Sequence, residues 1–191
     1  MKKFFVTKEL ESLKELLGNK FTCVAGTNLT SNLLTDQALI MTEGPSLQIT
    51  GALFDADFAG FVEEYGELQL AIATTEQVKK ANNQAEKYLH RFSSRILDVL
   101  IVSETLSEVS GNTNAWDYTT DVSVILVLET GFLCVTLLSH GNELFVIEYK
   151  KEFALADLEP TTNAFTDDLF SQYVVKREVL TLEDALARVD A

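Results

Sequence analysis

The segment VSVILVL, residues Val122–Leu128, decides the fold class more than any other part of the chain. It is almost continuous in β-branched and apolar residues, with Ser123 as its one polar member. A strand of this composition is typical of a position that is buried on both faces. Both faces then need a covering layer, so the segment predicts an α+β fold, with helices packed on a mostly antiparallel sheet.

Short apolar runs that alternate with turn residues predict further strands on both sides of this segment. Glu43–Pro45 and Thr130–Gly131 have the composition of turns between two of these strands. The strands are expected near residues 20–25, 36–42, 46–53, 67–73, 96–103, 121–129, 132–138 and 143–150.

Apolar residues at helical spacing predict helices over residues 7–17 and 75–92. Thr7 and Thr75 are suitable N-caps, and Gly18 is suited to end the first helix.

The C-terminal part is expected to add an amphipathic stretch, a short strand over 174–180 and a last helix capped by Thr181. The apolar positions of the amphipathic stretch are Phe165, Leu169, Phe170 and Tyr173.

Three internal similarities indicate a duplication. They pair Thr35–Ile40 with Thr120–Ile125, Leu47–Thr50 with Leu133–Thr136, and Gly66–Ile72 with Gly141–Ile147. We therefore predict two pseudo-repeated α-β-β-β-β units, residues 7–74 and 75–150, plus a C-terminal α/β extension, residues 151–191. Because no proline- or glycine-rich linker separates the units, we expect residues 1–191 to form a single compact domain.

Charge is segregated along the chain, which has 15 basic and 29 acidic residues and a formal net charge of −14. Residues 21–78 and 96–149 contain no lysine or arginine. The acids in these two segments are Asp36, Glu43, Asp55, Asp57, Glu63, Glu64, Glu67, Glu76, Asp98, Glu104, Glu108, Asp117, Asp121, Glu129, Glu143 and Glu148. Such a balance argues against binding to nucleic-acid phosphates. It has two readings, a docking face for a basic partner or a surface selected for solubility.

The composition predicts a cytoplasmic protein without a membrane segment. The apolar run after Met1–Lys3 covers three residues, far short of the roughly 7 to 15 of a signal peptide, and no run approaches the roughly 20 residues of a membrane span. Cys23 and Cys134 each lie in an apolar strand-like segment, so we expect both to be buried thiols.

Catalytic and metal-binding patterns are weak. Cys134 and His140 could form a nucleophilic pair, but no third orienting group stands at a recognisable spacing. His90, near the end of the second predicted helix, fits a surface role. The carboxylates of Asp55–Asp57 and Glu63–Glu64 lack the ligand spacing of a calcium loop. No nucleotide-binding or common hydrolase motif occurs. The sequence therefore indicates no cofactor, no metal and, on balance, no enzyme.

Two polar interruptions are the best candidates for a binding site. Residues 105–119 form the longer one, which is expected to be a functional loop that presents Trp116, Asp117 and Tyr118. Aromatic residues of this kind commonly anchor interfaces, although a lone tryptophan also commonly packs into a core. The second interruption is the acidic connection 55–67. Together they predict a partner-binding site made of Trp116, Asp117, Tyr118, Asp55, Asp57, Glu63 and Glu64.

The leading functional hypothesis is a non-catalytic acidic protein-binding module, of the immunity or inhibitor type, that neutralises a basic protein partner. The alternative is a small-molecule-binding protein or enzyme with a carboxylate/histidine pocket between the two units, including His140. A third alternative is the subunit of a structural homodimer. The expected partners thus exclude nucleic acid and membrane.

Overall fold

The computed structural model describes residues 1–26, 34–58, 61–84, 86–88, 93–110, 113–154 and 172–189. The helices in these ranges are α1 (Thr7–Lys14), α2 (Thr75–Gln84) and α3 (Leu182–Val189). The strands are β1 (Lys2–Lys3), β2 (Lys20–Gly26), β3 (Leu34–Thr35), β4 (Gln37–Thr42), β5 (Leu47–Phe58), β6 (Phe61–Ile72), β7 (Glu86–Tyr88), β8 (Ser94–Ser110), β9 (Thr113–Leu128), β10 (Gly131–Leu137), β11 (Phe145–Lys150) and β12 (Gln172–Thr181).

The sheet consists of two antiparallel meanders side by side. β2, β4, β5 and β6 follow one another across the sheet, and so do β8, β9, β10 and β11. The meanders meet where Lys20 and Phe21 of β2 pair with Arg95 and Ser94 of β8. Off this path, β12 pairs with β8, β7 with β2 and, in parallel, β1 with β9. The mostly antiparallel α+β class is therefore confirmed.

The central strand was predicted correctly. In β9, Val124 and Leu126 belong to the main core, whereas Val122 and Ile125 belong to a second cluster. α1 and α3 contribute Leu10, Leu13, Leu16, Leu182 and Leu186 to the main core or its border, and α2 packs Ala81 against Cys23 and Met41 in a third cluster. Residues from both meanders and from α3 share the main core, which is why the three parts pack as neighbours.

Helix boundaries differ from the predictions in a way that hydrogen bonds explain. The N-cap of α1 is Val6 rather than Thr7, because the Glu9 carboxylate accepts the Val6 N–H (2.9 Å). The cap of α2 is Thr74 rather than Thr75; its N–H donates to Gln77 Oε1 (2.7 Å). The cap Thr181 is confirmed, since its Oγ1 accepts the Asp184 N–H (3.1 Å).

Helix α2 is also shorter than predicted. It ends at Gln84, and residues 86–88 form β7, which pairs with Val24–Gly26 of β2. Pairing with a neighbouring strand thus outweighs the helical periodicity of the sequence. His90 and the amphipathic positions Phe165, Leu169 and Phe170 lie outside the described residues. Tyr173 lies in β12.

The predicted loop 105–119 is wrong, because residues 105–110 and 113–119 extend the antiparallel strands β8 and β9. Their polar side chains bond across the two strands. The hydroxyl groups of Thr105 and Thr119 form a hydrogen bond of 3.0 Å, and Ser107 Oγ donates to Asp117 Oδ1 at 2.6 Å. Cross-strand polar pairs of this kind stabilise a sheet without apolar alternation. In the acidic connection 55–67, residues 55–58 and 61–67 likewise belong to the paired strands β5 and β6, which we call the β5–β6 hairpin.

The three internal similarities behave differently in the structure. Leu47 and Leu133 both face the main core, and so do Leu70 and Phe145. Ile40 faces the main core too, whereas its match Ile125 lies in the second cluster on the other face. A slip of one residue reverses the face of every side chain in a strand, so this match is out of register by one.

Within the described residues, no helix is long and apolar enough to span a membrane. Cys23 and Cys134 are both buried, as expected; Cys23 Sγ contacts Met41 Sδ at 3.5 Å.

Candidate functional site

One face of the β5–β6 hairpin carries exposed acidic and apolar side chains. Asp55 stands directly opposite Glu64 in the register, and Asp57 stands opposite Val62. Leu53, two residues before Asp55 in β5, lies on the same face. Leu53 is 40% exposed and Val62 is 65% exposed. We call Leu53, Asp55, Asp57, Val62 and Glu64 the acidic hairpin face.

The Asp55–Glu64 pair is electrostatically unfavourable. Like charges directly opposite each other on one face of a sheet repel. Both side chains are exposed, and neither forms an ion pair with a described residue. The sequence provides no relief nearby, since residues 21–78 contain no lysine or arginine. The repulsion between Asp55 and Glu64 is therefore not offset by an ion pair in the described part of the chain.

The opposite face of the hairpin is packed against the β8–β9 hairpin through an aromatic cluster, which consists of Phe54, Tyr65, Trp116 and Tyr118 around Ala56. The ring centroids of Tyr65 and Tyr118 are 4.8 Å apart, and Phe54 lies 6.4 Å from Tyr118. Such tilted aromatic pairs stabilise beyond the area that they bury. Burial raises the pKa of Tyr118 to about 12.

The structure brings the two predicted segments together, although not with the predicted geometry. Trp116 is half-buried in the aromatic cluster, and Tyr118 is completely buried, so Tyr118 has no surface for a partner to contact. Asp55, Asp57 and Glu64 lie on the other face of the hairpin, because successive side chains in a strand point to opposite faces. The acids therefore do not surround Trp116.

The two remaining predicted site residues lie elsewhere on these hairpins. Glu63 is opposite Ala56 in the register, and its side chain lies outside the described part of the chain. Asp117 is exposed on β9, where its carboxylate accepts the Ser107 hydroxyl and its carbonyl accepts the N-terminal ammonium of Met1.

His140 belongs to a buried ionic network. Its Nε2 is 2.7 Å from Glu104 Oε1, and Glu104 Oε2 accepts the Arg177 Nε–H at 2.7 Å. His140 and Glu104 are both completely buried, while the Arg177 side chain is 10% exposed. The His140 ring also meets Tyr118 edge-on, with centroids 5.5 Å apart. The network links β8, the 138–144 connection and β12.

The 138–144 connection is held closely against the β5–β6 hairpin. The Gly66 N–H donates to the His140 carbonyl at 2.7 Å. A Cβ atom at Gly66 would collide with the Asn142 carbonyl, and one at Gly51 would collide with the Glu143 carbonyl. The backbones can approach this closely because neither position carries a side chain. These contacts fix the hairpin, and with it the acidic hairpin face.

A second ionic network neutralises Asp121, which is also buried. Its Oδ2 accepts the Phe5 N–H at 2.9 Å and Arg188 at 2.7 Å. Its Oδ1 accepts the Ser103 hydroxyl, and Arg188 also donates to Ser103 at 2.7 Å. The guanidinium lies 3.7 Å from the centroid of the Phe4 ring. Arg188 thereby ties α3 to β8, β9 and the N-terminal segment.

A cleft of about 450 Å³ lies between the N-terminal segment, the β5–β6 hairpin and β9. Its polar lining includes Lys3, Glu9, Gln48, Thr50, Glu67 and Asp121. Burial raises the pKa of Glu9, which accepts the N–H groups of Val6 and Leu70 at 2.9 and 3.0 Å. Lys3 pairs with Glu67 at 2.9 Å. The cleft's acids are thus already engaged by groups of the protein itself.

This cleft differs from the predicted carboxylate/histidine pocket, because His140 is absent from the described residues that line it. Cys134 packs in the apolar second cluster, whereas the His140 ring contacts Glu104 and Tyr118. Within the described ranges, no group of three or more histidine, cysteine, aspartate or glutamate side chains could hold a metal ion.

Sequence reasoning missed the two ionic networks and the cleft. Glu104 lies one residue beyond the strand predicted over 96–103, where it continues the alternation of Leu100 and Val102. Its partner Arg177 lies 73 residues away, and no pattern in the sequence connects the two.

Comparison with protein-family models, with curated proteins and with solved structures finds no match to this chain. The function therefore has to be argued from the residues themselves.

Proposed function

We propose that the protein is a non-catalytic acidic module of the immunity or inhibitor type, which binds a basic protein partner through the acidic hairpin face. The observation that carries the proposal is the exposed Asp55–Glu64 pair, in which two like charges oppose each other and neither forms an ion pair with a described residue. A cationic partner would relieve this repulsion, so the repulsion in the free protein favours formation of the complex.

Apolar side chains on the same face support a protein partner rather than a simple counterion. Leu53 and Val62 flank the acids and are well exposed to solvent. Apolar contacts inside a charged rim are typical of protein–protein interfaces. The partner surface that fits this face therefore carries lysine or arginine next to aliphatic side chains.

The distribution of the remaining charge also supports this face over other acidic positions. Glu104 and Asp121 are neutralised by arginines of the C-terminal extension, and Glu67 by Lys3. Asp55 and Glu64 keep their charge for an external ligand. The cleft is a weaker candidate for the alternative function of small-molecule binding, because its carboxylates accept hydrogen bonds or ion pairs from the protein itself.

We also propose that the two four-stranded meanders, each preceded by a helix, are a structural repeat of α-β-β-β-β units. Their identical succession of neighbouring strands supports this, as do the matched facings of Leu47 with Leu133 and of Leu70 with Phe145. Superposition of β2, β4, β5 and β6 on β8–β11 tests it; the expected result is a common strand path with β4 and β9 shifted by one residue from the sequence match.

Calorimetric titration with a peptide rich in lysine, arginine and leucine tests the binding proposal. The double charge reversal Asp55→Lys/Glu64→Lys should weaken binding at low ionic strength by about tenfold or more, and added salt should weaken wild-type binding steeply. Glu11→Lys/Glu15→Lys is the matched control, because it reverses two exposed acids on or next to α1 and changes the net charge equally. Equal losses in both variants would show that only net charge matters and would refute the proposed face.

A further inference from the structure

β12 is an edge strand within the described part of the sheet. It pairs antiparallel with β8 along its whole length, from Gln172 opposite Val109 to Thr181 opposite Leu100. Among the described strands, β8 is its only neighbour. The other edge of β12 has no partner among the described strands, and the backbone groups of such an edge can pair with a further strand.

The side chains on one face of β12 are complementary to the same side chains in reverse order. Apolar residues then meet apolar residues, and each charge meets a charge of opposite sign. Val174, Lys176, Glu178 and Leu180 alternate on one face, so the order is apolar, positive, negative, apolar. Val174, Lys176 and Glu178 are exposed, and Leu180 is half-buried. Arg177 lies at the centre of this pattern.

We propose that two copies of the chain pair through β12, antiparallel, about a two-fold axis at Arg177. In this register Lys176 of one copy faces Glu178 of the other, and Val174 faces Leu180. Each of these cross-strand pairs occurs twice, as an isologous interface requires. The partner is therefore a second copy of this chain, selected by charge complementarity.

Neighbouring registers are disfavoured by the same charges. A continuous antiparallel sheet keeps each side chain on its own face, so the register can shift only in steps that move the axis by one residue. An axis at Lys176 would place two Lys176 side chains opposite each other, and an axis at Glu178 would place two Glu178 side chains opposite each other. Both arrangements put like charges in direct cross-strand contact.

The axis residue itself does not oppose the pairing. Two Arg177 side chains would meet there, but each lies 2.7 Å from the completely buried carboxylate of Glu104 and is 10% exposed. The buried ion pair neutralises the charge that would otherwise repel the second copy. The interface is limited to one strand from each copy, so we expect a concentration-dependent dimer rather than an obligate one.

Sedimentation equilibrium of the full chain over a range of concentrations, with circular dichroism as the folding check, tests this proposal. Lys176→Glu and Glu178→Lys should each raise the dimer dissociation constant by about tenfold or more, because each creates two like-charge contacts. The double variant Lys176→Glu/Glu178→Lys should restore wild-type dimerisation to within about threefold. Lys151→Glu, an exposed position outside β12, is the control for net charge and should leave the constant unchanged.

Three outcomes would overturn the proposal. One is a wild-type chain that stays monomeric at all concentrations, and another is a double variant as weak as the single ones. The third is a loss in Lys151→Glu equal to that in Lys176→Glu, which would reduce the effect to net charge.

Discussion

Two acidic segments, residues 21–78 and 96–149, both lack lysine and arginine, yet the fold places their acids differently. Glu104 and Asp121 are buried, and each accepts an arginine at 2.7 Å. Asp55 and Glu64 oppose each other in solvent. Both arginines belong to the C-terminal extension, whereas neither Asp55 nor Glu64 forms an ion pair with a described residue. The extension thus neutralises the acids of β8 and β9 but not this exposed pair.

The largest effect is expected from removing Arg177. Arg177→Met leaves the completely buried Glu104 without its cation, and breaking a buried ion pair in this way should lower the free energy of unfolding by about 3 kcal/mol. Urea denaturation measures it. The control Lys20→Met removes a solvent-exposed pair with Glu43 and should cost about 0.5 kcal/mol or less. Equal losses would contradict the assigned difference between buried and exposed acids.

Removing Arg188 should have a somewhat smaller effect. Arg188→Met leaves Asp121 accepting from the Phe5 N–H and the Ser103 hydroxyl, and the arginine side chain is 21% exposed. We expect a loss of about 2 kcal/mol in the same denaturation experiment. A change within measurement error would show that the extension does not stabilise β9 through Asp121.

The exposed region should respond in the opposite direction. Glu64→Gln removes one member of the like-charge pair, so it should raise the free energy of unfolding by about 0.5 kcal/mol at low ionic strength. Salt should reduce this gain, because it screens the repulsion in the wild type. If the variant is less stable than the wild type at low salt, the pair is not repulsive.

The aromatic cluster between the two regions can be tested through the pH dependence of stability. The pKa of Tyr118 is raised from 10.0 to about 12 by burial, so the unfolded chain ionises first as the pH rises. Tyr118 therefore contributes stability that is present below pH 10.0 and is lost as the pH approaches about 12. Tyr118→Phe should lose less stability than the wild type across this interval. Parallel pH profiles of urea midpoints would contradict the assignment.

Much of the fold could be predicted because the signals were local. Val122–Leu128 identified the strand buried on both faces, and Thr181 identified the start of α3. Residues 105–119 were mistaken for a loop because their polar side chains hide a strand whose stability comes from pairing across the hairpin. Periodicity within one segment does not reveal such partners.

The candidate site could also be predicted only in part, because its local signals are visible in the sequence and its strand pairing is not. The absence of basic residues from 21–78 is visible in the sequence and marks the region that stays negative. The face on which each acid lies depends on the register of β5 with β6 and on Tyr65 packing against Tyr118, and neither could be predicted.

The central claim is that the acidic hairpin face is the surface that binds a basic partner, and mapping backbone amide shifts during a titration tests it most directly. The probe is the peptide rich in lysine, arginine and leucine, added to the isotopically labelled wild-type chain at low and at high salt. We expect the largest shifts on Leu53–Asp57 and Val62–Glu64, with smaller ones at Glu11 and Glu15, and we expect salt to abolish them. Shifts spread evenly over all exposed acids, or concentrated at the cleft around Glu9, would contradict it.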